Sequence, residues 1–229
     1  MNLPIMKPIA YIHSDFPEKF GIPRQSRLID SLQAEIRFAP EYRNRDALRG
    51  IEGYSHLWLI WLFSESVRSG WSPTVRPPRL GGNTRIGVFA TRSPFRPNPI
   101  GLSCVQLESV EWTSDGPVLH VAGGDLLDGT PILDIKPYLP HIDAIPDAAS
   151  GFAGAVADYA LTVACTPELE AQIPPDKRDA LREVLAQDPR PSYQNNPDRV
   201  YGMRFAGLEV RFTVSDTVLT VREILSESK

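Results

Sequence analysis

The 229 residues hold only two cysteines, Cys104 and Cys165, and four histidines, His13, His56, His120 and His141. The cysteines lie far apart, and no pair of Cys or His stands at metal-ligand spacing. The expectation is therefore two reduced thiols and no structural metal. Long apolar runs are also missing. The longest, Leu57 to Phe63, has seven residues, against about 20 needed to cross a bilayer. The first residues carry no basic stretch followed by an apolar one, so a cytoplasmic location is expected. No Gly-x-Gly-x-x-Gly follows a predicted strand and no βαβ rhythm appears, which argues against a Rossmann-type nucleotide domain.

Negative charge has a gap of its own. The chain has a formal net charge of -4, yet no Asp or Glu stands between Glu65 and Glu108. Inside that gap, Val75 to Gly101 carries Arg76, Arg79, Arg85, Arg92 and Arg96. Prolines at 77, 78, 94, 97 and 99 and glycines at 81, 82, 87 and 101 break any regular element there. A stiff loop studded with guanidinium groups suits anionic ligands, because each group is always charged and binds in a planar fork. The molecule as a whole is acidic, with a pI near 5.6. A nucleic-acid partner would have to meet this local patch.

What is abundant is proline, at 22 residues about twice the average usage, together with short alternating apolar stretches. Strands are predicted at 5–13, 35–38, 53–63, 85–90, 101–112, 118–122 and 132–135, separated by turn signals such as Ser114-Asp115-Gly116-Pro117. The run Gly53 to Phe63 reads as a strand buried on both faces. Asn44 is a plausible cap for a short helical turn over 45–48. Many short strands at this spacing suggest a barrel or sandwich. Composition shifts after Asp143. Beyond it come a capped helix start at Thr166-Pro167, a helix over 176–187 with Ala180, Leu181, Val184 and Leu185 on one face, and three closing strands, the last two flanking Ser215-Asp216-Thr217 as a hairpin. The expected organisation is mostly β: an N-terminal β-barrel over 1–154 that binds a cofactor, and a small C-terminal α+β domain over 155–229.

Three clusters could carry chemistry. Pro23-Arg24-Gln25 ends a polar loop and is either a surface connection or a ligand contact. The arginine loop is the second. Asp125 and Asp128, in the Gly-rich segment Gly123 to Pro131, are turn formers, a general base, or acceptors for a ribose hydroxyl. Residue chemistry alone stops at a mostly-β protein with a rigid, anion-binding arginine loop.

The strings GYSHLWLIWLF, VRPPRLGGNTRIGVFATRSPFRPNPIGLS, DLLDGTPILDIKPYLP and LAQDPRPSY together resemble the TsaA/TrmO family. Its members are tRNA methyltransferases that use S-adenosyl-L-methionine to methylate N6 of threonylcarbamoyladenosine beside the anticodon. The resemblance implies a β-barrel, a small C-terminal domain, a homodimer and a tRNA anticodon-loop partner. It also implies a cofactor site at Pro23, Arg24, Gln25, Ser64, Glu65, Arg92, Leu102, Asp125, Leu126, Leu127 and Asp128. Ser64-Glu65 departs from the His-Gln pair that related members often carry, so only backbone contacts transfer safely there. Arg76, Arg79, Arg85 and Arg96 would meet tRNA phosphates or the threonylcarbamoyl carboxylate, and Arg190 with Tyr193 would add a basic and a stacking contact. Methyl transfer to a nitrogen needs positioning and a place for the departing proton. Asp128 is the candidate acceptor, with Arg92 expected beside it in one pocket. The alternative is a module that binds S-adenosylmethionine or RNA without transferring a methyl group.

Overall fold

The computed structural model of the chain describes residues 5–67, 70–77, 84–152, 159–191, 194 and 196–226. In chain order the first strands are β1 (Ala10–Ser14), β2 (Gln33–Phe38) and β3 (His56–Leu62). A ribbon of two short strands follows, β4 (Thr74–Val75) and β5 (Ile86–Gly87). Then come β6 (Ile100–Thr113), β7 (Gly116–Ala122) and β8 (Pro131–Pro137), and a single helical turn, α1 (Pro140–Asp143). Six of these strands close into a barrel in the order β1-β2-β7-β6-β3-β8, and every neighbouring pair is antiparallel. Closure leaves the barrel no free edge.

Strand β3 shows why this sequence makes a barrel. Leu57, Leu59 and Trp61 point inward and are buried, and they pack with Ile12, Ile36, Val105, Leu119 and Ile132 from the surrounding strands. Each such side chain contributes about 1.5–3 kcal/mol on burial. The expectation that β3 is buried on both faces needs correction, because its burial alternates. His56, Trp58, Ile60 and Leu62 are only half-buried. The outward Trp58 lies 5.6 Å from the Tyr138 ring and donates its indole N–H to Asp143 of α1 at 3.1 Å. The aromatic run is therefore one inward stripe and one covered outer stripe.

The strand predicted over 85–90 is shorter than expected. Only Ile86 and Gly87 pair, and Val88–Ala90 turns into a 3-10 helix. Val88 is buried, its N–H bonds Pro73 O at 2.9 Å, and Thr91 Oγ1 folds back onto Val88 O at 2.8 Å. Those bonds close the turn at the point where a strand would have continued. The Asn44 cap forms as predicted, its side chain accepting from Asp46 N–H ahead of the turn Arg45–Leu48.

The rest of the chain adds β9 (Thr162–Ala164), α2 (Pro167–Glu170), α3 (Arg178–Ala186), β10 (Tyr201–Phe205), β11 (Leu208–Ser215) and β12 (Val218–Ser226). The sheet order is β10-β11-β12-β9, with β9 parallel to β12. The sequence reading did not contain β9. Ala180, Leu181, Val184 and Leu185 of α3 are buried against the sheet, the four residues predicted for that face.

The core of this unit is not made by the C-terminal residues alone. Phe16, Ile29 and Leu32, from the long connection between β1 and β2, belong to it. Phe16 packs edge-on to Phe205 at 5.3 Å, and Ala206 N–H bonds Asp15 O at 2.9 Å. Lys177 meets Asp15 at 2.6 Å in a largely buried ion pair. Gly21, at φ +94°, lies so close to Met203 that a Cβ there would stand 2.2 Å from its sulfur. The connection that carries Pro23-Arg24-Gln25 is thus seated on the C-terminal sheet.

Candidate functional site

Strand β6 begins where β3 ends, and the two run antiparallel with Gly101 opposite Trp61. Gly101 is required there, since a Cβ would sit 2.2 Å from the Trp61 ring. The close approach lets Trp61 donate its indole N–H to Ser103 Oγ at 2.9 Å. Ser103 in turn donates to Asp125 Oδ1 at 2.5 Å. The connection from β1 closes the same spot from the other side. Ser26 Oγ accepts the Cys104 N–H at 3.0 Å, and the Ser26 N–H donates to the Asp125 carboxylate. Asp125 makes no ion pair among the described residues. Burial pushes its carboxyl up to about 6, while Ser103, its own and the Ser26 backbone N–H, and the Arg92 charge pull the other way.

Asp125 lies on the wall of a cavity of about 690 Å³, within the size range of small-ligand sites. Ile22, Pro23, Trp61, Phe63, Ile100 and Leu102 give it apolar walls. Arg24, Gln25, Arg92, Arg96 and Asp125 give it polar ones. Arg92 donates to Gln25 Oε1. Ser64 and Glu65 sit in the 3-10 turn after β3, and the Glu65 carbonyl accepts Lys19 Nζ at 2.7 Å. A second cavity of about 630 Å³ adjoins the first and shares Gln25, Thr91, Arg92 and Pro94 with it. Arg76 and Arg85 line this second one.

Of the predicted cofactor residues, Pro23, Arg24, Gln25, Ser64, Glu65, Arg92, Leu102, Asp125 and Leu127 line the first cavity. Leu126 does not; it is buried in the barrel core. Asp128 does not either. Its carboxylate accepts the Ser14 N–H at 3.1 Å and stands 3.4 Å from His13 Nδ1, while its own N–H bonds Phe16 O. The expectation of Arg92 and Asp128 in one pocket is therefore corrected: the carboxylate beside Arg92 is Asp125. Gly129, at φ +74°, turns the chain after Asp128 and the Gly129 N–H bonds Ile12 O, so Asp128 is fixed to β1.

Among the predicted RNA contacts, Arg96 lines the first cavity and donates to Thr91 O at 3.4 Å. Arg190 is buried and grips Asp188 with two bonds, 2.8 and 2.9 Å, and Asp188 also accepts from Tyr159 Oη at 3.0 Å. Burial works against the Asp188 charge, but the Arg190 and Tyr159 bonds outweigh it and hold the carboxyl below its ordinary value. A guanidinium spent in this way is not offered to phosphate, which corrects the expectation for Arg190. Arg79 and Tyr193 lie outside the described residues. The sequence reading missed Trp61, Ser103 and Ser26. Their one signal was a small polar residue at the inward position of an otherwise apolar strand start.

A family model for the tRNA-methyltransferase O N-terminal domain matches residues 11–144, and one for the TrmO C-terminal domain matches 158–227. The chain belongs to the TrmO family. The tRNA (adenine(37)-N6)-methyltransferase of Escherichia coli K12 is 44% identical over 216 residues, covering 91% of this chain and 92% of that protein. A Pseudomonas aeruginosa relative, provisionally named an S-adenosylmethionine-dependent methyltransferase, RcsF, is 42% identical over 215 residues and 91% of its own length. The crystal structure of TrmO from Pseudomonas aeruginosa is similar with a TM-score of 0.78 at 35% identity, over 98% of this chain and 100% of that one. The mostly-β barrel with a second C-terminal unit is thus the TrmO architecture.

Proposed function

We propose that this chain transfers a methyl group from S-adenosylmethionine to N6 of threonylcarbamoyladenosine next to the anticodon of tRNA. The tRNA adenine-N6 activity is that of its curated relatives, and the donor is the one in the provisional name of the Pseudomonas protein. The observation that carries the reading is Asp125. It is a half-buried carboxylate that makes no ion pair among the described residues, on the wall of a largely apolar cavity, with Arg92 as its cationic neighbour. A sulfonium ligand would add a positive charge next to this carboxylate, and the apolar walls suit an adenine ring, so the donor set fits.

The residues proposed to hold the cofactor are those of the first cavity: Pro23, Arg24 and Gln25, the Ser64-Glu65 turn, Leu102, Leu127, Asp125 and Arg92. When bound, S-adenosylmethionine supplies an electrophilic methyl group. The protein's part is to hold the acceptor nitrogen in line and to exclude water. Asp125, rather than Asp128, takes the proton released from N6, with Ser103 donating to its Oδ1. Trp61 positions Ser103 and touches no reacting atom. The barrel carries the cofactor, and the protein is a cytoplasmic enzyme that works as a homodimer.

Methyl incorporation into tRNA with and without the threonylcarbamoyl group tests the activity, and equilibrium binding of labelled S-adenosylmethionine tests the cofactor. Incorporation is expected only with the modified tRNA. Binding of the cofactor without incorporation into either tRNA would leave a binding module in place of an enzyme.

A further inference from the structure

Lys19 stands in the β1–β2 connection between two residues that meet the C-terminal sheet. Before it, Glu18 Oε1 accepts the Arg204 N–H of β10 at 3.3 Å. After it, Gly21 packs against Met203 of the same strand. The Lys19 side chain leaves this seated segment and ends at the turn that follows β3. Its ammonium donates to the Glu65 carbonyl at 2.7 Å and reaches Ser66 Oγ at 3.5 Å.

Little in the chain itself holds that turn. Ser64–Ser66 is a single 3-10 turn whose N-cap, Phe63, makes no side-chain bond. The Ser66 N–H closes it on Phe63 O at 2.9 Å. The last carbonyls of so short a turn have no partner further along a helix, and a lysine placed there supplies one. Ser64, Glu65 and Ser66 line the first cavity, and Lys19 lines it with them. Lys19 also borders a separate cavity of about 190 Å³, together with Gln187 and Asp188 at the end of α3. One side chain thus stands at the C-terminal unit and at a wall of the first cavity.

Resting on the function proposed above, we infer that Lys19 is a positioning residue for the methyl donor: it pins the Ser64–Ser66 turn in the shape the ligand meets, and touches no reacting atom. A wall that is already in its bound shape spares the ligand the cost of ordering it. The bond from Lys19 therefore acts on donor affinity and leaves the transfer step alone. It is one hydrogen bond at an exposed side chain, so its contribution to the stability of the whole fold is small.

The test compares the wild type with Lys19→Met, which keeps an unbranched stem without the charge, and Lys19→Arg, which keeps a cationic donor. Two probes are bound at equilibrium, S-adenosylmethionine and 5′-methylthioadenosine. The second keeps the adenosine but has neither the sulfonium charge nor the amino-acid carboxylate. Lys19→Met is expected to weaken both by about 3- to 10-fold, the worth of one hydrogen bond. It should raise KM for the donor by the same factor at unchanged kcat, with the wild-type Tm. Lys19→Arg should recover most of the loss, and amide exchange over residues 64–67 should quicken in Lys19→Met alone. Weakening of S-adenosylmethionine but not of methylthioadenosine would make Lys19 a direct charge partner of the ligand and overturn the inference. Unchanged affinity for both probes would overturn it too, as would a loss that follows a lowered Tm. A wild type that binds neither probe would overturn the cofactor assignment, and the inference with it. A wild type that binds both but transfers no methyl group to tRNA fails the proposed function alone, and the binding ratios still decide the role of Lys19.

Discussion

Replacing Asp125 by Asn should make the protein more stable and less active. The carboxyl sits at about 6 in the fold, against 3.8 as its ordinary value, chiefly because burial disfavours the charge. The folded state therefore binds the proton more tightly than the unfolded chain does. Stability is highest below 3.8, falls as pH rises from 3.8 to about 6, and is flat above that. Holding the ionised form at neutral pH costs at most about 3 kcal/mol. Asparagine keeps an oxygen for the Ser103 hydroxyl and carries no charge. At pH 7.5 the Asp125→Asn protein should gain up to about 3 kcal/mol, a rise in Tm of up to roughly 10 °C for a chain of this size. At pH 4 the gain should shrink to little. Thermal unfolding of the ligand-free protein at both pH values reads this directly. A variant no more stable than the wild type at pH 7.5, or a gain of the same size at pH 4, would refute the reasoning. In parallel, wild-type methyl transfer should decline as pH falls through about 6, where Asp125 takes up a proton and can no longer accept one, and the variant should transfer at a small fraction of the wild-type rate.

Three further outcomes are expected. Gly101→Ala would push a methyl group into the Trp61 ring, costing about 1–3 kcal/mol in chemical denaturation and slowing methyl transfer through the displaced Ser103. Gly21→Ala meets Met203 from a left-handed backbone and should cost about as much, weakening cofactor binding measured by calorimetry. Arg190→Ala should destabilise the fold by about 3 kcal/mol, because Asp188 is left buried without its partner. The tRNA affinity of the folded fraction, measured with its salt dependence, should stay unchanged; a flatter salt slope would return Arg190 to the RNA surface.

How much of this was legible in the sequence depended on the range of the interaction. Local signals read well: the Asn44 cap, the apolar face of α3, and the hairpin around Asp216, whose φ is +52°. Alternation located β6 and the turn before it located β7, but β3 read as wholly apolar because Trp58 and Ile60 on its outer face are covered by neighbours distant in sequence. The arginine loop was visible as a charge gap, yet its division between two cavities depends on how β4 and β5 pair. Asp125 and Asp128 were indistinguishable in a Gly-rich turn. What separates them is Ser103, 22 residues away, and Ser14, more than 100 residues away. Arg190 looked like a surface cation because its partner Asp188 stood two residues off in a segment of alternating prolines. Burial is what turned that pair inward.

The seating of the β1–β2 connection on the C-terminal sheet has a thermodynamic consequence. Phe16 and Gly21 lie against β10 and its turn, and Pro23, Arg24 and Gln25 continue from them into the wall of the first cavity. Ordering of the small unit and ordering of that wall are then expected to be linked. Anything that settles on the C-terminal sheet and steadies it should tighten the grip on a ligand of the first cavity by some factor, and that ligand should tighten its binding by the same factor.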